Sequence, residues 1–132
     1  MTTPVKPRIL LNASCPEYFF GEGCYITEWS NSPDDADASI VRARVLPGVT
    51  TRWHSLTGIV ERYVILQGQG SVELGGLPAM PVETGDVVVI PAEVRQRICN
   101  TGEGDLVFLA VCTPRFVPGA YVDLESDADL HA

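Results

Sequence analysis

The sequence predicts an all-β domain, a sandwich or barrel of short strands, on three observations. Apolar residues alternate or run in β-branched blocks, and no segment carries a persuasive 3.6-residue period. Ten prolines and twelve glycines break the chain at short intervals, as turns between many strands require. The candidate strands recur at roughly the 8–12-residue spacing of sandwiches and barrels.

Taken in order, CYITEW at 24–29 reads as a strand and SNSPDDAD at 30–37 as a loop by composition. SIVRARVLP at 39–47 is a strand with Arg42 and Arg44 on one face, closed by Pro47-Gly48. VERYVILQ at 60–67 follows, then GQGSVELGG at 68–76 as a turn, a short strand and another turn. LPAMPVETGD leads to a turn at Gly85-Asp86. VVVIP at 87–91 is β-branched and reads as a buried strand. VRQRICN at 94–100 is the next strand, TGEGD the turn after it, and LVFLAVCT at 106–113 the last strong strand before Pro114.

Composition bounds the function. The 132 residues, 45% hydrophobic and 20% charged, suit one domain with its own core. Within it, 1–37 is expected to hold N-terminal strands and a loop, 38–116 the barrel, and 117–132 an acidic tail. A net charge of −8 opposes binding to nucleic acid or to anionic membrane surfaces. No apolar run reaches the length of a membrane span, and the N-terminus lacks a signal-peptide pattern. The four cysteines, Cys15, Cys24, Cys99 and Cys112, show no CxxC spacing. Reduced thiols in the cytoplasm are therefore expected, with Cys99 and Cys112 as small buried hydrophobes.

Two spaced motifs carry the rest. The first is Gly48, five residues, His54-Ser55-Leu56, four residues, Glu61, six residues, Gly68. The second is Gly85, five residues, Pro91-Ala92-Glu93, two residues, Gln96, three residues, Asn100. Together they resemble the two motifs of the cupin family, over about residues 38–113. Leu56 stands where that family has a second histidine, Glu93 where it has a glycine, and Gln96 where it has its last histidine.

The resemblance implies a cupin-type double-stranded β-helix, or jelly-roll barrel, and a homodimer. In the dimer the N-terminal strands, RILLNAS to CYITEW, are expected to be exchanged with a partner. It also implies a divalent metal, iron, manganese, nickel or zinc, held here by His54, Glu61 and Gln96. Strand parity puts Glu61, Tyr63 and Ile65 on one face, and Gln96 and Ile98 on another, so these donors are expected to converge inside the barrel. An amide oxygen is a poorer donor than imidazole, so affinity is expected to fall.

Two readings follow. In one, a metal-dependent dioxygenase, isomerase or lyase acts on a small organic molecule, with Tyr63 as proton donor. In the other, the pocket is metal-free: His54 and Glu61 act as an acid–base pair, or the domain is a module that binds or senses a small ligand. Trp53 is a candidate roof for the pocket or a core or subunit contact. Arg42 and Arg44 are candidates for an anion clamp or a solvated face, Cys112 is a soft donor if it faces inward, and Arg97 points away.

Overall fold

The computed structural model describes residues 4–125, so the acidic run at 126–132, with His131, lies outside the described residues. Eleven strands follow in order: β1 (Glu17–Phe20), β2 (Cys24–Ser30), β3 (Ser39–Val45), β4 (His54–Leu56), β5 (Val60–Gln67) and β6 (Gln69–Leu74). Then come β7 (Met80–Glu83), β8 (Val87–Ile90), β9 (Gln96–Asn100), β10 (Leu106–Thr113) and β11 (Tyr121–Asp123). They form two antiparallel sheets, ordered β1-β2-β3-β10-β5-β8 and β11-β4-β9-β6-β7. This is the jelly roll that the sequence predicts.

The long strands form where the alternation is cleanest. In β5, Glu61, Tyr63 and Ile65 are buried while Arg62 and Val64 lie partly exposed on the other face. The inward residues of the two sheets meet in one core that includes Tyr63, Ile65, Ile90, Ile98 and Phe108. Each buried isoleucine contributes about 1.5–3 kcal/mol relative to exposure. A smaller cluster of Leu56, Ile59, Cys112 and Ala120 closes one end of the barrel.

The two motifs are stitched to each other by backbone. Gly48 N donates to Asn100 O at 3.1 Å, and Glu93 N donates to Leu56 O at 3.0 Å. Gly68, with φ +90°, must be glycine for space as well, since a Cβ there would lie 2.7 Å from the Asp105 carbonyl oxygen. Glu93, at the motif position where the family has a glycine, has a left-handed backbone with φ 67°. Its carboxylate accepts from Gly58 N at 2.6 Å. That charge-assisted bond offsets part of the strain, of order 1 kcal/mol, of a left-handed non-glycine residue.

Four strands have no counterpart in the sequence reading of the barrel. β1 and β7 are four residues each, β4 and β11 three, too short to show a period. β1 and β2 extend the larger sheet of their own chain, through β2 and β3. The tail assignment for 117–132 needs a correction: its first residues are structured. Pro118–Ala120 forms a 3₁₀ turn, and Tyr121–Asp123 pairs with β4, placing Asp123 opposite His54. The loop at 30–37 contains a 3₁₀ turn, Pro33–Asp35, capped by the Ser32 side chain accepting from Asp34 N.

Candidate functional site

The pocket lies between the sheets, beside the smaller cluster. Its buried floor includes His54, Leu56, Glu61, Tyr63 and Cys112, and its rim Tyr18, Phe20, Glu22, Glu28, Phe116 and Tyr121. The cavity is about 60 Å³, room for a few water-sized groups.

His54 starts β4 and pairs directly with Gln96 on β9. Its Nδ1 lies 2.8 Å from the Arg52 carbonyl oxygen, so this nitrogen carries the proton and donates. Its Nε2 faces Glu22 Oε2 at 3.3 Å. Both ring nitrogens thus lie beside oxygen acceptors. The ring stacks on Tyr121, with centroids 5.0 Å apart.

Glu22 sits in the turn between β1 and β2, flanked by Gly21 and Gly23. Two contacts aim it. Arg52 N donates to the Glu22 carbonyl oxygen at 2.8 Å, and Cys24 Sγ donates to Glu22 Oε1 at 3.0 Å. Burial pushes the Cys24 thiol far up, so it stays protonated and can donate.

Glu61 reaches the floor from the opposite sheet. It is 8% exposed, and its neighbour across the ladder is Cys112. Cys112 Sγ donates to Glu61 Oε2 at 3.6 Å. Oε1 has no hydrogen-bond partner, and it alone among the buried side-chain oxygens and nitrogens of the described residues is left so. Burial, and then the charge of Glu22, push its carboxyl up to about 7, against the opposing influence of His54, Gln96 and Cys112.

Gln96 and Tyr63 differ from expectation. They meet each other: the Tyr63 hydroxyl donates to Gln96 Oε1, in a buried pair. The oxygen expected to ligate a metal is therefore engaged, and Gln96 lies behind the pocket wall. Burial first, and the Glu61 charge second, hold the Tyr63 phenol well above its ordinary value, so it serves as a protonated donor to Gln96. Leu56 presents only carbon to the pocket.

The donor set does not fit a cupin metal cage. No group of three or more His, Cys, Asp or Glu side chains placed to hold a metal occurs among the described residues. The pocket's donors are one imidazole, flanked by the Arg52 carbonyl and Glu22, the Glu61 carboxyl across the cavity, and Glu28 at the rim.

The other sequence candidates lie outside. Trp53 is flanked by Arg95 and Arg97, whose guanidinium carbons sit 4.7 and 4.4 Å from its ring centroid. Arg97 also pairs with Glu73, pointing away from the pocket as strand parity requires. Arg42 and Arg44 pair with Glu17, and Arg44 also with Asp105, on the outer face of the larger sheet. The sequence reading missed Glu22, Glu28, Tyr18, Phe20 and Tyr121. For Glu22 the only signal is an acid between two glycines, which marks a tight turn and not a site.

The chain belongs to the cupin family: the family model described as a cupin domain matches residues 41–112, more than half of the chain. Several solved structures share the fold. KdgF from Halomonas sp. superposes with a TM-score of 0.72 at 18% identity, covering 83% of this chain and 96% of that one. Pac13, described as a nucleoside dehydratase, gives 0.74 at 18% identity, covering 94% and 98%. A predicted oxalate decarboxylase from Thermotoga maritima gives 0.72 at 23% identity, covering 81% and 99%. At these identities the likeness is one of fold. No curated protein matches the chain by sequence.

Proposed function

We propose that the barrel binds a small organic molecule and moves a proton on it without a metal, as an isomerase or lyase does. The observation that carries this reading is Glu61, which lines the same cavity as His54 and whose Oε1 is buried without a hydrogen-bond partner. A carboxyl raised to about 7 divides between acid and base near neutral pH, where a proton-transfer group works best.

In the proposed step the ionised Glu61 takes a proton from carbon. The electron pair left behind either is reprotonated at a neighbouring carbon or expels an oxygen leaving group. His54 Nε2–H supplies the proton to that oxygen, and Glu22 compensates the imidazolium charge. Dehydration, the reaction in the description of Pac13, is an elimination of this type. A dioxygenase reading would need a redox metal held by several protein donors, and among the described residues no three His, Cys, Asp or Glu side chains are placed to share one.

The homodimer expected from the family remains part of this proposal, with β1, where Phe19 is 61% exposed, as the edge available to a partner.

Calorimetric titration with Mn²⁺, Fe²⁺, Ni²⁺ and Zn²⁺ tests the metal-free reading. The native chain is expected to give no stoichiometric binding, and a Leu56→His/Gln96→His double variant to bind, since Leu56 lines the pocket and Gln96 is the ladder partner of His54. One metal per native chain, lost in His54→Ala, would overturn the proposal.

A further inference from the structure

We infer that the pocket takes an organic cation, a protonated amine on a small apolar body, and turns away carboxylates and phosphates. This rests on the reading of the barrel pocket as a ligand site and names the chemistry of its ligand.

Three carboxylates line the pocket, Glu22, Glu28 and Glu61, against one imidazole, and among the described residues no lysine or arginine lines it. With His54 protonated and Glu61 neutral, Glu22 and Glu28 still leave an excess of negative charge. The nearby arginines are engaged with other groups: Arg52 with Asp123, Arg62 with Thr113 and the Val60 carbonyl, Arg44 with Glu17 and Asp105, Arg42 with Glu17, and Arg97 with Glu73. An anion entering the cavity would meet like charge in a partly dehydrated space with nothing to compensate it.

The floor adds an independent pointer. Glu61 Oε1 is an acceptor with no donor, in a residue more than nine-tenths buried. A group with several N–H donors satisfies it, and an ionised carboxylate has none to give. The small cavity accommodates the ammonium, and the half-buried rings of Phe20, Phe116 and Tyr121 accommodate the apolar body. Aromatic faces near a cation add attraction of their own.

The test uses three ligands of one shape and different charge: benzylamine, protonated at pH 7, benzyl alcohol and benzoate. Binding is followed by NMR shifts of His54 and Tyr121 in the full chain. Benzylammonium is expected to bind at least tenfold tighter than benzyl alcohol, with benzoate weakest. Glu61→Gln is expected to reduce the amine's advantage over the alcohol severalfold, leaving the part that Glu22 and Glu28 supply. Glu28→Gln, at the exposed rim, is expected to reduce the amine's advantage severalfold without disturbing the floor. Benzoate binding as tightly as the amine, or alcohol and amine binding alike, would overturn the charge assignment and leave the pocket standing as a ligand site. No shift at His54 or Tyr121 with any of the three would overturn the pocket reading itself, and this inference with it.

Discussion

Asn100 and Glu61 are both motif residues, both polar and both buried, yet they live in opposite circumstances. Asn100 uses every group it has: its amide nitrogen donates to the carbonyl oxygens of Val45 at 2.9 Å and Gly104 at 2.8 Å, and its oxygen accepts from Gly102 N at 2.9 Å. Glu61 has one thiol contact on one oxygen and nothing on the other. A buried polar group that is fully paired holds a fold together. One left short of partners stores unfavourable free energy that a bound ligand can release. The second motif thus supplies a clamp where the first supplies a vacancy.

The strongest way to break this contrast is Asn100→Ala. It strands two carbonyls and an N–H in the interior, and about 3–5 kcal/mol of stability is expected to disappear, read by urea unfolding at neutral pH. A loss under about 1 kcal/mol would mean that the clamp is ornamental.

Glu61→Gln is expected to act in the opposite direction. The folded chain holds this proton more tightly than the unfolded one, its carboxyl rising from 4.5 to about 7. The stability linked to it is complete below about pH 4.5 and drains away as pH rises through about 7. That drain amounts to about 3 kcal/mol. The glutamine variant is therefore expected to equal the native chain at pH 4 and to exceed it by about that amount at pH 8. Parallel stability curves across that range would remove the idea of a frustrated carboxyl.

The smallest effect is expected at Glu93→Gly. Glycine relieves a left-handed backbone but forfeits the bond to Gly58 N, so the two nearly cancel and the change in unfolding free energy stays within about 1 kcal/mol. A larger loss would promote Glu93 from a tolerated substitution to a structural anchor of the β4–β5 turn.

The sequence made most of this legible, and the exceptions have a common cause. Alternation in 60–67 and 106–113 marks β5 and β10 to the residue, because both strands bury one face against the other sheet. Motif spacing finds His54 and Glu61, and strand parity puts Gln96 in the interior, where it is 1% exposed. Parity says which face a side chain takes but not who waits there, and Tyr63 waits for Gln96. Glu22 and Tyr121 reach the pocket through a glycine-flanked turn and a three-residue strand. Neither is long enough to carry a period, and each is brought to His54 by pairings distant in the chain. Arg42 and Arg44 do share a face, as alternation demands, but Glu17 of β1 meets them there.

Two acids that share the pocket with His54 are mounted differently, and that difference bears on how such a barrel changes its chemistry over time. Glu61 stands mid-sheet between β10 and β8, where its register is fixed on both sides. Glu22 hangs from a turn at the sheet's edge. Turns accept exchange far more readily than central strands. A lineage built on this scaffold can therefore swap the acid that faces the imidazole, or drop it, while the proton-handling carboxyl and the barrel around it stay as they are.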